Sequence, residues 1–166
     1  IIEFYKFINL IMTEIKKNSI RDGKFGKNCS VIEPVNLFEC NIGDNVFIGP
    51  FVEIQKNVII GEGSKVSSHS FICEKVEIGK NCFISHGVMF TNDLLRSGKL
   101  SNDPKNWLPT KIGDNVSIGS NSIILPVKIA SGCVIGAGSV VTKDLMVKGI
   151  YAGNPAKFFR SIDEPY

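Results

Sequence analysis

The sequence predicts an all-β fold, a triangular parallel β-helix of about five to six coils with about 18 residues each, and two observations support it. An apolar residue leads a block of six residues again and again from Phe25 to Val141, and the blocks IGDNVF, IGKNCF, IGDNVS and IGAGSV show the repeat directly. A period of six matches neither a helix, which repeats every 3.6 residues, nor the alternation of a half-buried strand. Three blocks therefore form one coil of three short strands, and successive coils stack at the ordinary strand spacing of about 4.8 Å.

Each position of the block has its own expected role. The leading residue points into the prism and stacks on its equivalent one coil away, which suits the β-branched side chains that are common there. The glycine that often follows is expected at a corner, where it tolerates a positive φ. The fifth residue is small because it must also fit inside the narrow prism. The expected corner glycines are Gly43, Gly49, Gly61, Gly79, Gly113, Gly119 and Gly136.

The repeat divides the chain into three segments. Residues 1–22 precede it as a leader or a short helix, and their first eleven residues form an apolar stretch that is too short to span a membrane. Because Met12 resembles a natural start, we expect residues 1–11 to be non-native or the tail of a longer reading frame; a short amphipathic helix is the alternative. The solenoid covers residues 23–144 with one long inserted loop at 92–111. Residues 145–166 form a basic appendage with a short helix expected from Pro155.

Composition limits the function classes. Charged residues make up 21% of the chain and the formal net charge is +3, which is too weak to indicate nucleic-acid binding. Cys29, Cys82 and Cys133 fall at the small fifth position, where a thiol acts as a small apolar side chain. Cys40 and Cys73 fall elsewhere and match no metal-ligand spacing. We therefore expect reduced, structural thiols, which together with the lack of a signal peptide favour the cytoplasm.

The repeat and several motifs resemble the hexapeptide-repeat acyltransferases of left-handed parallel β-helix fold. The endings IGAGSVVTKDL and GIYAGNPAK are typical of members that use acyl-coenzyme A. The stretches CFISHGVMFTND, WLPTKIGDNVSIGSN and SIILPVKI resemble the nucleotide-sugar N-acetyltransferases, such as those acting on dTDP-3-amino-3,6-dideoxyhexoses. The resemblance implies a left-handed solenoid, acetyl transfer from acetyl-coenzyme A to a sugar amine for surface polysaccharide synthesis, no metal, and a homotrimer with active sites between neighbouring subunits.

The repeat also predicts which side chains lie together beside the long loop. Glu74 and Asn92 are both third in their blocks and 18 residues apart, so they should stack one coil apart, with Asp93 at the next position. The resemblance implies that these three residues hold the amino-sugar and that Asn92 takes part in catalysis. Their chemistry is suitable, because carboxylates and an amide carbonyl accept hydrogen bonds from amines and hydroxyls. A solvated corner charge is the alternative for Glu74.

His86 is the candidate general base, since histidine titrates close to neutral pH. It lies six residues before Asn92 and hence on the adjoining face. A coenzyme A or substrate contact and a packed corner residue are its alternatives, because the departing thiolate could itself accept the proton. His69 lies nearly one coil below, and two histidines without a third ligand make a weak case for a metal. Trp107 in the loop could stack on a nucleobase or wedge the loop against a neighbouring subunit, and we favour the wedge.

Coenzyme A contacts are expected in the C-terminal coils. Turn amides near Gly119 and Ala137 are candidates for contacts to pantetheine or to the oxyanion of the tetrahedral intermediate. Lys143, Lys157 and Arg160 could pair with the phosphates of the coenzyme, with merely solubilising charges as the alternative. O-acetylation of serine or a small sugar alcohol is the alternative function. A γ-class carbonic anhydrase-like protein would require three zinc-ligating histidines, and the chain has two.

Overall fold

The computed structural model describes residues 19–101 and 103–163, which form the left-handed parallel β-helix that the sequence predicts, with three flat faces. Face A consists of β1 (Ile20–Arg21), β4 (Asn36–Phe38), β7 (Glu53–Ile54), β10 (Phe71–Ile72), β13 (Met89–Phe90), β16 (Ile123–Ile124) and β19 (Val140–Val141). Face B consists of β2 (Lys24–Phe25), β5 (Asn41–Ile42), β8 (Ile59–Ile60), β11 (Val76–Ile78), β14 (Thr110–Ile112) and β17 (Lys128–Ile129). Face C consists of β3 (Ser30–Val31), β6 (Phe47–Ile48), β9 (Lys65–Val66), β12 (Phe83–Ile84), β15 (Ser117–Ile118), β18 (Val134–Ile135), β20 (Ile150–Gly153) and β21 (Ala156–Arg160).

The leading residues of the blocks form the core. Strand pairing sets them directly opposite one another, as with Ile54 and Ile72 on face A, or Ile84 and Ile118 on face C. All four are 0% exposed, and full burial of such a side chain stabilises the fold by about 1.5–3 kcal/mol. Because the prism is filled with side chains, any ligand site must lie on its outside. We name the corners by the faces that they join in chain order: A–B, B–C and C–A.

The corner glycines have a different role from the expected one. None of the seven adopts a positive φ, and the left-handed residue lies two positions later, as at Asn45 (φ 57°), which follows Gly43 by two. Gly61 illustrates the actual requirement, since a Cβ there would lie 2.5 Å from the carbonyl carbon of Gly79 in the next coil. The expectation of a positive φ at these glycines is therefore wrong. Close approach between coils, rather than backbone conformation, excludes a side chain.

The solenoid has about seven coils, somewhat more than expected. At the N-terminal end, β1 pairs with β4 and extends face A before Phe25. At the C-terminal end, Leu145 bridges to Ile129 and β20 pairs with β18. These additions do not follow the sequence repeat, but Leu145 and Tyr151 still bury apolar side chains, with 6% and 7% exposed. Coil geometry therefore continues where the repeat has ended.

The short C-terminal helix expected from Pro155 is wrong. The chain reverses after β20 and returns as β21, with Ala152 opposite Lys157 in an antiparallel pair. The ring of Phe158 packs edge-on against Tyr151, with 5.5 Å between ring centroids. β21 pairs with the free edge of β20 and becomes the outermost strand of face C. Strand pairing and ring packing outweigh the local helical preference of this segment.

The long loop leaves the solenoid after β13 and returns at β14, at the A–B corner. It contains a 3₁₀ helix, Pro104–Asn106, whose start is capped by the side chain of Asp103 accepting a hydrogen bond from the Lys105 N–H at 2.9 Å. The Leu108 N–H donates to the Asn92 carbonyl at 2.8 Å and closes the loop on the corner. The insertion is thus folded by its own hydrogen bonds.

The five cysteines carry free thiols, and all except Cys29 are buried. Burial raises the pKa of Cys73 to about 12 and also raises the pKa of Cys40, Cys82 and Cys133. Cys40 and Cys73 pack as small apolar side chains, whereas the Cys82 and Cys133 thiols also donate to backbone carbonyls. In the described ranges, no helical segment has the length and hydropathy of a membrane span.

Candidate active site

Two corners flank face A, and they carry predicted site residues of different kinds. The A–B corner holds Glu74, Asn92 and the base of the long loop, while the C–A corner holds His86. Strand β13 separates His86 from Asn92. One chain therefore presents its candidate base and its candidate amine-binding groups at opposite edges of the same face.

Glu74 and Asn92 are in direct contact one coil apart. The Asn92 Nδ2 donates to the backbone carbonyl of Glu74 at 3.1 Å, which leaves the Asn92 side-chain oxygen as an acceptor for a ligand. The Glu74 carboxylate turns towards the preceding coil, where it accepts from Asn57 Nδ2 at 3.1 Å and lies 3.8 Å from Lys56 Nζ. With 6% of its surface exposed, Glu74 is not the solvated corner charge of the alternative interpretation. Its backbone carbonyl holds the Asn92 side-chain amide in place.

Asp93 closes the base of the long loop. Its carboxylate accepts hydrogen bonds from the Ser101 N–H at 2.7 Å and the Leu95 N–H at 2.8 Å. These two donors hold the pKa of the Asp93 carboxyl below its ordinary value. Each oxygen keeps lone pairs for a further donor. Asp93 therefore shapes the loop, and it can contact a ligand only through its remaining acceptor capacity.

Trp107 and Lys75 fix the far side of the loop. Trp107 is half-buried and its indole N–H donates to the Ser101 carbonyl at 3.1 Å. The Lys75 ammonium donates to the Trp107 carbonyl at 3.0 Å and also to the Pro104 carbonyl. Lys75 directly follows Glu74, so the same corner supports both Asn92 and the loop. Sequence reasoning missed Lys75, although a lysine at a corner position that most often holds asparagine or glycine was a usable signal.

A pocket of about 330 Å³ lies between the loop and the edge of face A. Its lining includes the aromatic rings of Phe71 and Trp107 and the polar side chains of Asn92 and Asp93. The remaining lining residues are Gln55, Cys73, Phe90, Thr91, Leu95 and Leu100. Such a pocket can hold a ligand with an apolar side and several hydrogen-bonding groups. Sugars and amino-sugars meet this description.

Around His86, the C–A corner presents exposed groups. His86 is exposed, and the corner of the next coil above it includes Gly119 and Ser120. The Gly119 N–H donates to the Ile135 carbonyl at 2.8 Å, so it serves coil pairing and cannot act as an oxyanion donor. Ala137 lies one coil further on and is exposed. His86 and Ala137 therefore line one outer column of this corner.

The basic residues proposed for coenzyme phosphates do not form one cluster. Lys143 is exposed and follows β19 at the edge of face A, whereas Lys157 and Arg160 belong to β21 of face C. The Arg160 Nη1 donates to the Ser161 carbonyl at 3.1 Å. In the part of the chain that the structure describes, no group of three His, Cys, Asp or Glu side chains is arranged to hold a metal ion.

Known families and structures match the fold. The hexapeptide repeat of succinyl-transferase matches residues 109–143, and the bacterial transferase hexapeptide (six repeats) matches residues 39–74. The bifunctional protein GlmU of Clostridioides difficile (strain 630) is 40% identical over 135 residues, which cover 80% of this chain and 27% of GlmU. The chain therefore spans 27% of the length of that curated relative.

Two solved structures share the solenoid. A maltose O-acetyltransferase from Clostridium difficile 630 is 29% identical with a TM-score of 0.60, covering 84% of this chain and 71% of that chain. A mutant of GDP-perosamine N-acetyl transferase from Caulobacter crescentus, in complex with CoA and GDP-perosamine, is 19% identical with a TM-score of 0.59, covering 82% and 57%. The second likeness concerns the fold alone. Residues 39–74 and 109–143 thus carry the hexapeptide repeats found in these transferases, and the chain shares their parallel solenoid.

Proposed function

We propose that this chain transfers the acetyl group of acetyl-coenzyme A to the amine of a nucleotide-linked amino-sugar. The observation that carries the proposal is the pocket at the A–B corner, where Asn92 is braced by Glu74 beneath a loop that Asp93 and Lys75 hold in place. The amide oxygen of Asn92 and the carboxylate of Asp93 suit an amine and hydroxyls, and the aromatic rings in the lining suit the apolar face of a sugar. A dTDP-3-amino-3,6-dideoxyhexose is the first substrate to test.

The reaction is a direct transfer. The neutral amine uses its nitrogen lone pair to attack the thioester carbonyl, and the tetrahedral intermediate collapses with cleavage of the C–S bond. The products are an N-acetyl sugar and coenzyme A, and the amine proton passes to a base or to the departing thiolate. In this scheme Asn92 orients the amine through its side-chain oxygen, and His86 accepts the proton.

The site is proposed to form between two copies in a homotrimer. Within one chain, β13 separates the candidate base at the C–A corner from Asn92 at the A–B corner. The outer surface of face A between these corners carries Met89 and Ile123, which are 40% and 39% exposed and lie on adjacent coils. Exposed apolar residues in a row favour contact with another protein surface. A neighbouring copy packed near this face brings its own His86 towards the pocket.

Coenzyme A is proposed to run along the outer column of His86 and Ala137 towards the C-terminal end. Lys143, Lys157 and Arg160 surround that end from two faces, so their contacts to the phosphates would come from more than one copy of the chain. We infer a cytoplasmic location, where reduced thiols such as those of this chain persist.

O-acetylation of a sugar alcohol or serine is the second candidate. The likeness to a maltose O-acetyltransferase favours it, since the two chains share 29% identity over most of this chain. An alcohol needs a base to remove its proton, whereas a neutral amine does not. This candidate therefore makes His86 indispensable and gives Asn92 no amine to hold.

Release of coenzyme A across a substrate panel tests the proposal. The panel contains dTDP- and UDP-linked 3-amino and 4-amino sugars, maltose and serine. We expect release with at least one amino-sugar and a 1:1 yield of its N-acetyl product by mass spectrometry. Release with maltose or serine alone supports the second candidate, and no release from any amino-sugar by a trimeric preparation contradicts the first.

Two substitutions separate the roles within that assay. Asn92→Ala should lower kcat/KM for the amino-sugar and leave the KM for acetyl-coenzyme A unchanged, because Asn92 contacts only the acceptor. His86→Asn should lower kcat if His86 removes a proton. Near wild-type kcat in this variant means that the base assignment is wrong and that the thiolate takes the proton.

A further inference from the structure

Phe51 has a backbone conformation that is rare for phenylalanine, and its apolar ring is exposed to solvent. Its φ is 59°, in the left-handed region, where bulky side chains are rare outliers. The equivalent residues of the following coils at the same corner are His69, Gly87, Asn121 and Gly138. With 57% of its surface exposed, Phe51 gains little from burial. A contact made by its ring outside the solenoid would account for this residue.

The ring of Phe51 is held in a defined orientation. It stacks on His69 of the next coil, with 4.9 Å between ring centroids and 10° between ring planes. The stack lies in the C–A corner below His86, since Ser68 and Pro50 precede His86 by one and two coils at the equivalent position. At one strand spacing per coil, Phe51 lies about 10 Å from the level of His86.

A second pocket adjoins the ring. It encloses about 240 Å³ and is lined by Phe51, Pro34, Asn36, Glu53 and two valines. Asn36 donates its Nδ2 to a Glu53 carboxylate oxygen at 3.1 Å. Arg21 donates to the Asn36 side-chain oxygen at 2.8 Å and so fixes which end of the amide faces Glu53.

The polar wall of this pocket keeps hydrogen-bonding capacity. Asn36 retains a second N–H on Nδ2, and Glu53 retains lone pairs on both oxygens. A donor thus stands beside acceptors next to an exposed aromatic ring. This set complements the edge of a heteroaromatic ring that has a carbonyl beside an N–H, as in uracil and thymine, with Phe51 stacking on its face.

We propose that the Phe51 pocket, formed by Phe51, Pro34, Asn36 and Glu53, binds the pyrimidine base of the nucleotide-linked substrate. The inference rests on the proposed function. The Phe51 pocket lies about 10 Å from the level of His86 in the same chain. This leaves room for a ribose and a diphosphate between the base and a sugar that sits beside that His86, in the loop pocket of the neighbouring copy. The pocket then selects the nucleotide, and the loop pocket selects the sugar.

Nucleotide binding by the full chain tests this proposal without any acyl transfer. Isothermal titration with UDP and dTDP should give saturable binding. Phe51→Asn, which places the common corner residue there, should weaken it about 5- to 150-fold, the effect of losing one base–aromatic stack. The same variant should raise the KM of the amino-sugar substrate, leave the KM for acetyl-coenzyme A unchanged, and melt no lower than wild type, because asparagine tolerates the left-handed conformation.

Two further variants sharpen the result. Glu53→Gln should weaken UDP and dTDP binding, because it removes an acceptor that faces the base N–H. Phe83→Ala is the matched control, since Phe83 is a partly exposed phenylalanine (39%) on face C, and it should bind UDP and dTDP as wild type does.

Three outcomes overturn the proposal: no binding of UDP or dTDP by the wild type, unchanged binding in Phe51→Asn, or dissociation of the trimer by Phe51→Asn, which would assign the ring to a contact between copies. Failure of the proposed function is distinguishable. If UDP or dTDP binding depends on Phe51 but no amino-sugar releases coenzyme A, the pocket stands and the reaction is wrong. If coenzyme A is released and Phe51→Asn keeps the substrate KM, the reaction stands and the pocket is wrong.

Discussion

Lys75 is the residue whose removal most directly tests the proposed role of the long loop. Its ammonium donates to the carbonyls of Trp107 and Pro104 and so links the loop to the corner that braces Asn92. Lys75→Met keeps the aliphatic stem and removes the three N–H donors. The solenoid core is untouched, because the Lys75 side chain contributes nothing to the inward column.

The expected magnitude follows from the two hydrogen bonds. A bond that involves a charged group is worth about 1.5–3 kcal/mol when buried, but Lys75 is only half-buried and water competes for its ammonium. We therefore expect the pair to contribute about 1–2 kcal/mol to loop closure. Loss of that free energy raises the population of the open loop about 5- to 30-fold.

Hydrogen exchange measured by mass spectrometry reports this population directly. Peptides covering residues 93–109 should exchange faster in Lys75→Met by about the same 5- to 30-fold factor, while peptides of faces B and C remain unchanged. The KM for the amino-sugar should rise in parallel. Lys105→Met is the matched control, because Lys105 lies in the same loop and its side chain is exposed.

Equal exchange of the loop peptides in wild type and Lys75→Met would refute the account of Lys75 as the loop anchor. A large fall in melting temperature would also contradict it, since the anchor is expected to act on the loop and not on the solenoid.

Three further predictions follow from single contacts. Gly61→Ala should lower the free energy of unfolding by at least about 1–3 kcal/mol in a denaturant titration, because the new Cβ meets the Gly79 backbone at 2.5 Å; unchanged stability would contradict the close-approach explanation. Because the Asp93 pKa is depressed in the folded loop, its stabilising effect is present above the ordinary carboxyl pKa of 3.8 and lost as pH falls through the lower folded value. The protection factors of the loop amides, which compare the measured with the intrinsic exchange rate at each pH, should therefore fall at acid pH in wild type and show no such step in Asp93→Asn. Alkylation of the native protein at pH 8 should modify Cys29 first and spare Cys73, whose pKa is raised by burial; early modification of Cys73 would mean that its burial is transient.

The inward column could be predicted from the sequence because it depends on a single strict rule. Every coil needs an apolar side chain of limited size at the same place, so residues such as Ile54 and Ile72 reveal both the fold and its register. The same register correctly placed Asn92 against Glu74. The register predicts such neighbours because equivalent residues of adjacent coils lie opposite each other along the solenoid.

The repeat could not predict features that depend on contacts outside the repeated blocks. β21 forms because the open edge of β20 and the ring of Tyr151 accept it, and no local pattern encodes those partners. The hydrogen bonds of Asp93 and Lys75 depend on how the loop folds back onto the corner, and no repeat or motif in the loop sequence reveals that conformation. The repeat correctly predicted where the corner glycines lie but not why glycine is needed there. At Gly61 the reason is the close approach of the neighbouring coil, which the sequence pattern does not reveal.

A complementation experiment tests the central claim, that acyl transfer occurs between copies with His86 from one and Asn92 from another. His86→Asn and Asn92→Ala chains are each prepared alone and co-expressed, and coenzyme A release is compared. In a 1:1 mixture about three-quarters of the trimers are mixed and each has one of three sites intact, so co-expression should restore about one quarter of wild-type activity. Activity no higher than the mean of the two separate variants would contradict a site shared between copies.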